Sequence, residues 1–265
     1  MTRVGVVGAC GRMGRMVCRA VADDPDLTLV AAVDRSHVGE SIGSLIGLPK
    51  LEVRVTDELH EVLTADAEVA VDFTHPDVVL EHLRWSVEHA VDMVVGTTGL
   101  TDDDLEEIRS LLESDTAESS VVVASNFAIG AVLMQRFAAE ASRFFPAVEI
   151  IELHHDGKAD APSGTALATV RRILEERTGD AGAPAAESIP GARGADVEGV
   201  RVHSVRLPGL VAHQEVILGA QGQTLTIRHD SMDRASFMPG VLLAIKAVGS
   251  RPGLTVGLEP LLDQP

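Results

Sequence analysis

The sequence predicts an α/β protein: a doubly wound parallel sheet followed by a second, α+β domain. Three observations carry this. Over the first half, short β-branched runs alternate with stretches that have apolar residues at helical spacing. Glycines cluster at the first strand-to-helix junction. In the second half longer strands appear, two of them joined through GAQGQ (219–223) in the manner of an antiparallel hairpin.

RVGVVGA (3–9) reads as a strand ending in glycine, and the following RMGRMVCRAVADD places Met13, Met16, Val17 and Ala20 on one helical face. LTLVAAVDR (27–35) is a second strand closed by an acid and a base. Further strands are expected at 51–55, 68–73, 91–99 and 120–127, with helices at 76–89 and 102–114. Buried β-branched runs separated by helices imply parallel strands with right-handed crossovers. In the second half, helices are expected at 128–143 and 163–177, flanking a strand at 147–155, and a final helix runs from Arg234 to about Val248. The Gly/Ala/Pro-rich stretch 179–199 is either a mobile loop or an arm that packs on another subunit.

Composition excludes several classes. A net charge of −18, from 40 acidic against 22 basic residues, leaves no clustered Lys and Arg to displace counterions from nucleic acid. The start of the chain lacks a secretory signal, and no uninterrupted apolar run is long enough to span a bilayer, which predicts a cytoplasmic protein. Cys10 and Cys18 have no further Cys or His at metal-ligand spacing near them and are expected to be free thiols. Only three lysines occur, Lys50, Lys158 and Lys246. Compositional drift toward arginine does not explain the excess of acid; adaptation to a cytoplasm of molar salt does, because there self-repulsion is screened within a few ångströms.

Gly8-Ala9-Cys10-Gly11-Arg12-Met13-Gly14 places glycines at the first βα turn, where a pyrophosphate can approach the helix N-terminus. Asp34 closes the second strand, 20 residues beyond Gly14, at the place where a carboxylate accepts hydrogen bonds from an adenosine ribose. The neighbouring Arg35 suits a 2′-phosphate, so the pair predicts use of both NADH and NADPH. Gly96-Thr97-Thr98-Gly99 and Ala124-Ser125-Asn126-Phe127 end two later strands on the carboxyl edge of the same sheet and can line a nicotinamide pocket.

IELHHDGKADAPSGTAL (151–167) carries the other chemistry. His154, His155 and Lys158 follow a strand, Pro162 suits the first turn of a helix, and Ser163-Gly164-Thr165 offer amides and hydroxyls at its start. A histidine near neutral pH, a lysine and a helix N-terminus within twelve residues describe a site for an anionic substrate that undergoes proton transfer. A metal site built from His154, His155, Asp156 and Asp160 ranks lower, because Lys158 repels a cation and no metal-ligand spacing is present; no metal is expected.

Together, the glycine turn, the Gly96–Gly99 and Asn126-Phe127 segments and above all the string E-x-H-H-x-x-K-x-D-x-P-S-G-T-A (152–166) resemble the 4-hydroxy-tetrahydrodipicolinate reductase family, formerly dihydrodipicolinate reductases, of the diaminopimelate route to lysine. The string is specific to the family; the glycine turn is not. The resemblance runs along essentially the whole chain. It implies a Rossmann-like nucleotide domain of residues 1–126 and 236–265, a substrate and oligomerisation domain of 127–235, and a homotetramer.

By the same resemblance NAD(P)H contacts Gly8, Ala9, Cys10, Gly11, Arg12, Met13, Asp34, Arg35, Gly96, Thr97, Thr98, Ala124, Ser125, Asn126 and Phe127. His154 is the implied proton donor or acceptor and Lys158 the proton donor. His155, Ser163, Gly164 and Thr165 hold the dicarboxylate substrate, and Arg234 either contacts it or braces the return to the nucleotide domain. Ala128, Cys10 and the Asp156-Gly157 pair depart from the commonest family forms; a carboxylate at 156 bears on substrate affinity rather than reaction type. A semialdehyde dehydrogenase is disfavoured by the absence of a mid-chain cysteine, and a non-enzymatic NAD sensor by the intact His154, His155 and Lys158.

Overall fold

The computed structural model describes residues 1–114, 118–177 and 187–263. The chain divides into two compact units, residues 1–127 with 237–265, and residues 128–236.

The first unit is built on seven parallel strands: β1 (Thr2–Val7), β2 (Leu27–Val33), β3 (Val55–Thr56), β4 (Val69–Asp72), β5 (Asp92–Val95), β6 (Ser120–Val123) and β12 (Gly253–Val256). Their order is β12-β6-β5-β4-β1-β2-β3. Strand order reverses about β1, so the first βα turn lies at a switch point of a doubly wound sheet, where ligands of such sheets bind. All four residues of β4 and of β6 are buried, as strands covered on both faces require.

Helices α4 (Pro76–Glu88) and α5 (Asp102–Leu112) close one face, where Val79, Leu83, Ile108 and Leu112 meet Val33, Ala70, Met93, Val95 and Val121. Fully burying a side chain such as Leu83 or Ile108 contributes about 1.5–3 kcal/mol. Helices α1 (Arg12–Asp23) and α8 (Met238–Val248) pack on each other and on the sheet, burying Val17, Val21, Val241 and Ile245. Start signals in the sequence act as written: His75 caps α4 with Pro76 in its first turn, and Thr101 with Asp104 forms a reciprocal capping box on α5.

Two expectations need correction here. The strand expected at 51–55 is reduced to β3, because the preceding backbone is occupied elsewhere. Ile42 N–H donates to Val53 O, Val55 N–H to Glu40 O, and Leu51 N–H to Leu48 O in a turn, which leaves only Val55–Thr56 to run beside β2. The final helix begins at Met238, not Arg234: Pro239 has no N–H and suits a first turn, and Arg234–Phe237 form a separate 3-10 turn.

The second unit is a mixed five-stranded sheet of β7 (Ala147–His154), β8 (Ala195–Val197), β9 (Val200–Arg206), β10 (Ala212–Ala220) and β11 (Gln223–Ser231), ordered β11-β10-β7-β9-β8. The GAQGQ hairpin forms, with Gly222 at φ +79 in its two-residue turn. Helices α6 (Ile129–Ser142) and α7 (Gly164–Glu176) cover one face through Met134, Ala138, Val170 and Ile173 against Ile150, Val202, Val216 and Leu218. The alternate residues Ile151, Leu153, Val205 and Ile217 stay half-buried on the opposite face.

The stretch expected to be a loop or arm at 179–199 falls partly outside the described residues. Its described end is ordered by pairing: Ala195–Val197 runs antiparallel to β9, and the amides of Gly191 and Arg193 donate to the Glu187 carboxylate.

Candidate functional site

In the first unit, a cavity of about 300 Å³ opens at the end of β1 and is lined by Gly8, Gly11, Asp34, Arg35, Phe73 and Thr74 together with His75 and His82. Gly8 has φ +78, and a Cβ there would stand 2.5 Å from Phe73 O; at Gly14 a Cβ would stand 1.9 Å from Gly8 O. The turn therefore depends on bare backbone, which lets a ligand come close to the start of α1. Gly11 caps that helix without a side-chain acceptor, so its leading amides are not taken by a cap.

Asp34 binds the turn to β2. Its Oδ2 accepts from Cys10 N–H at 2.9 Å, while Oδ1 accepts from the Ser36 amide and hydroxyl at 2.9 and 2.7 Å. Burial pushes this carboxyl up, but the bonds from Ser36 and Cys10 outweigh it and hold the group below its usual range, hence ionised at neutral pH. Arg35 beside it is exposed. Ala9 and Cys10 turn buried side chains inward, so they can offer a ligand only backbone; Arg12 is exposed and Met13 half-buried. Both cysteines are free thiols, and burial raises the pKa of each.

The other two expected segments adjoin this cavity through Phe73. A Cβ at Gly96 would stand 2.1 Å from the Phe73 ring, and the Phe127 ring centroid is 5.9 Å from that of Phe73. Thr97 is buried and donates to Asp72 Oδ1 at 2.8 Å, Ala124 is buried, and Thr98 and Ser125 are exposed. Asp72 itself escaped the sequence reading. It is wholly buried, accepts from the Thr74 amide and hydroxyl and from Thr97, and bonds His82 Nδ1 at 2.7 Å. Its signal was a carboxylate ending an otherwise apolar buried strand.

In the second unit, β7 delivers His154 and the loop after it delivers the rest. His154 Nδ1 lies 2.5 Å from Glu152 Oε2. Arg206, at the end of β9, donates to both oxygens of Glu152 at 2.9 and 2.8 Å and to Asp160 O at 2.6 Å. Burial pushes the Glu152 carboxyl up, and the hydrogen bonds from Arg206, Ser204 and His154 reverse that, leaving it below the usual range. Burial pushes the His154 imidazole below its ordinary value; Glu152 opposes the shift and Lys158 and Arg206 add to it.

Lys158 Nζ is 2.7 Å from Asp160 Oδ1, and Lys158 N–H donates to His155 O in a turn that leaves the His155 side chain exposed. Ser163 is the cap of α7: its buried hydroxyl accepts from Ala166 N–H. Pro162 accordingly precedes the cap instead of lying within the first turn, which corrects the sequence expectation. Gly164 and Thr165 head the helix, and a Cβ on Gly164 would meet nothing within 4 Å. Arg234 is exposed three residues beyond Ser231, which pairs with Ala212, the partner of His154 across the sheet. Glu152 and Arg206 carry no role in the direct reading of the residues. The signal lay in the alternation of β7, which puts Glu152 on the helix-covered face with Val148 and Ile150.

Sequence profiles part the chain at the first of the two unit boundaries, and the second profile runs on through α8 and β12 of the first unit. One described as dihydrodipicolinate reductase, N-terminus, matches residues 2–127, and one described as dihydrodipicolinate reductase, C-terminus, matches residues 130–262. The chain belongs to the dihydrodipicolinate reductase family. Relatives named 4-hydroxy-tetrahydrodipicolinate reductase include one from Nocardia farcinica, 54% identical with 98% of each chain covered, and one from Mycolicibacterium vanbaalenii, 51% identical with 98% of this chain and 99% of the other covered. A solved dipicolinate-bound dihydrodipicolinate reductase from Paenisporosarcina is 42% identical, with a TM-score of 0.88 over 98% of this chain and 99% of that one. An amine dehydrogenase from Mycobacterium smegmatis, at 16% identity and a TM-score of 0.65, shares the fold. Dihydrodipicolinate reductases are NAD(P)H-dependent oxidoreductases, and the bare glycine turn with an ionised Asp34 at the end of β2 fits such a cofactor. Among the described residues no helix is long and apolar enough to cross a membrane.

Proposed function

We propose that this chain reduces 4-hydroxy-tetrahydrodipicolinate to tetrahydrodipicolinate with NAD(P)H and loss of water, in lysine biosynthesis through diaminopimelate. The observation that carries the reading is the β7–α7 segment. It holds a histidine bonded to a buried carboxylate, a lysine and an open helix start in one loop, on a chain of this family.

The substrate is a cyclic imine with two carboxylates and a 4-hydroxyl. Loss of water gives a conjugated imine that accepts hydride at C4, and the resulting enamine takes a proton at carbon. A nicotinamide cofactor, when held at the glycine turn of the first unit, would supply the hydride. This chain supplies charge, orientation and the proton. Lys158 offsets carboxylate charge and donates a proton, and His154 gives or takes a proton at the ring nitrogen not held by Glu152. The carboxylates fall to His155 and to the Gly164 and Thr165 amides, whose turn Ser163 fixes by its cap, with Arg234 as a further cation.

Gly8 to Met13 receive the pyrophosphate, Asp34 the ribose and Arg35 a 2′-phosphate. Gly96, Thr97 and Thr98 with Ala124, Ser125, Asn126 and Phe127 border the nicotinamide. The half-buried Ile151, Leu153, Val205 and Ile217, on the sheet face opposite α6 and α7, support a homotetramer built through that face. The excess of acid supports a cytoplasm of high salt as the working environment.

The test is oxidation of NADH and of NADPH, followed by loss of near-ultraviolet absorbance, with substrate made fresh from pyruvate and aspartate semialdehyde by the preceding synthase. It is run in dilute buffer and in molar KCl. Turnover with either cofactor supports the reading; bound cofactor without turnover in both media overturns it.

A further inference from the structure

Glu152 is the one carboxylate of the second unit that is wholly buried, among the described residues, and it sits on the covered face of β7 between Ile150 and His154. Burying an ionised carboxylate costs several kcal/mol unless it is paired and hydrogen-bonded. Here the compensation is four bonds from three residues: two from Arg206, one from His154 Nδ1, and one from Ser163 N–H at 3.3 Å to Oε1. The donors come from three elements: Arg206 from the end of β9, His154 from the end of β7 and Ser163 from the start of α7.

An ionised carboxylate can only accept. The 2.5 Å contact with His154 therefore places a proton on Nδ1 whatever the charge of the ring. A neutral His154 then presents a lone pair at Nε2, and a charged His154 presents an N–H there. All proton exchange is confined to one ring nitrogen. The same carboxylate ties down the Ser163 amide, and Ser163 in turn caps α7, so the ring and the helix start are referred to one anchor.

We infer that Glu152 is a positioning residue of the substrate site: clamped by Arg206, it holds His154 in the Nδ1–H tautomer and fixes that ring relative to the Gly164–Thr165 helix start. This rests on the reading of His154 as a proton-exchanging group in the reductase reaction. The charged groups about the ring are Glu152 beside it on β7, Arg206 from β9, and Lys158 and its partner Asp160 from the loop before α7. Of these, Glu152 favours the imidazolium, and Lys158 and Arg206 oppose it. Removing the Glu152 charge must move the His154 titration to lower pH.

Two measurements on the full-length protein test this. The first needs no turnover. Long-range proton–nitrogen NMR of histidine-labelled protein, with His154 assigned from the spectrum of His154→Asn, is expected to show the neutral ring protonated at Nδ1. A ring protonated at Nε2 overturns the inference even if the enzyme is fully active.

The second compares Glu152→Gln and Glu152→Asp with wild type by pH profile, after circular dichroism has established which variants fold. Glu152→Gln is expected to lower kcat by at least about tenfold, in the range seen when an orienting partner of a working histidine is lost, with a smaller change in KM. Its His154-dependent limb should lie at lower pH, and Glu152→Asp, which keeps the charge, should restore the limb toward its original position. A limb that stays in place in a folded Glu152→Gln overturns the inference. Absence of turnover in wild type sinks the reductase reading alone, because the NMR result still decides the tautomer.

Discussion

Lys158 Nζ lies 2.7 Å from Asp160 Oδ1, in the loop between β7 and α7, with a quarter of the lysine side chain exposed and over half of the aspartate. The pair is too exposed to matter much to stability; such surface bridges contribute about 0–1 kcal/mol. Its placement beside His154 gives it another use. On the proposed reading of the site, Asp160 holds the ammonium until a substrate carboxylate takes over the role of counter-charge.

The corresponding prediction concerns turnover. Lys158→Ala should lower kcat by at least about a hundredfold, as expected for loss of an acid–base group, while its unfolding midpoint stays within a few degrees of wild type. Steady-state kinetics with both cofactors and a thermal melt check this together. Activity within a few fold of wild type would remove the lysine from the mechanism.

Asp34 leads to a prediction about cofactor choice. Its carboxylate is ionised at neutral pH and held by Cys10 and Ser36, and on the proposed reading its charge faces an adenosine ribose. A 2′-phosphate there is repelled by Asp34 and attracted by Arg35. Asp34→Ala should therefore shift the ratio of NADH to NADPH affinity toward NADPH by about tenfold or more, the equivalent of one charge-assisted hydrogen bond. Nicotinamide fluorescence titrations measure both dissociation constants; an unchanged ratio shows that Asp34 does not face the ribose.

The fold was legible where local pattern and tertiary role coincide. The β-branched runs of β4 and β6 are buried on both faces, and His75-Pro76 and Thr101-x-x-Asp104 start helices where capping chemistry says they should. It was not legible where a neighbour decides. Gly253–Val256 is too short and glycine-bound to announce a strand, and becomes one only because β6 offers it a parallel edge. The same division holds in the candidate site. His154, Lys158 and Ser163 stand out by type and spacing, whereas Arg206 reaches Glu152 from 54 residues away through a β7–β9 pairing that no local pattern encodes.

Gly14 tests the packing of the glycine turn. A Cβ there would stand 1.9 Å from Gly8 O and 2.8 Å from Ala9 Cα, both backbone, so no rotamer change relieves the clash. Gly14→Ala should destabilise the first unit by at least about 2 kcal/mol, toward the upper part of the range for overpacking. It should also weaken binding of both reduced cofactors together. Denaturant unfolding and the same fluorescence titration check the two effects; a stable variant that discriminates between NADH and NADPH would contradict the assignment of this glycine to packing.

Arg206 and Glu152 predict an acid dependence of stability. With Arg206 present, the Glu152 carboxyl is held below its unfolded value, so the stabilisation it contributes is complete above about pH 4.5 and is lost as pH falls through the lower, folded value. Arg206→Met removes the main partner of a wholly buried charge and should cost about 3–5 kcal/mol at neutral pH. In that variant burial is expected to outweigh the remaining bonds from His154, Ser163 and Ser204 and to raise the Glu152 pKa above its unfolded value, reversing the sign: the penalty is present at high pH and is relieved as the carboxyl protonates. The stability difference between wild type and Arg206→Met should therefore narrow steadily as pH is lowered from about 7 toward 4. Urea unfolding at a series of pH values measures that difference. A gap that is constant with pH would mean that the guanidinium stabilises the strand by packing alone and that Glu152 keeps its charge without it.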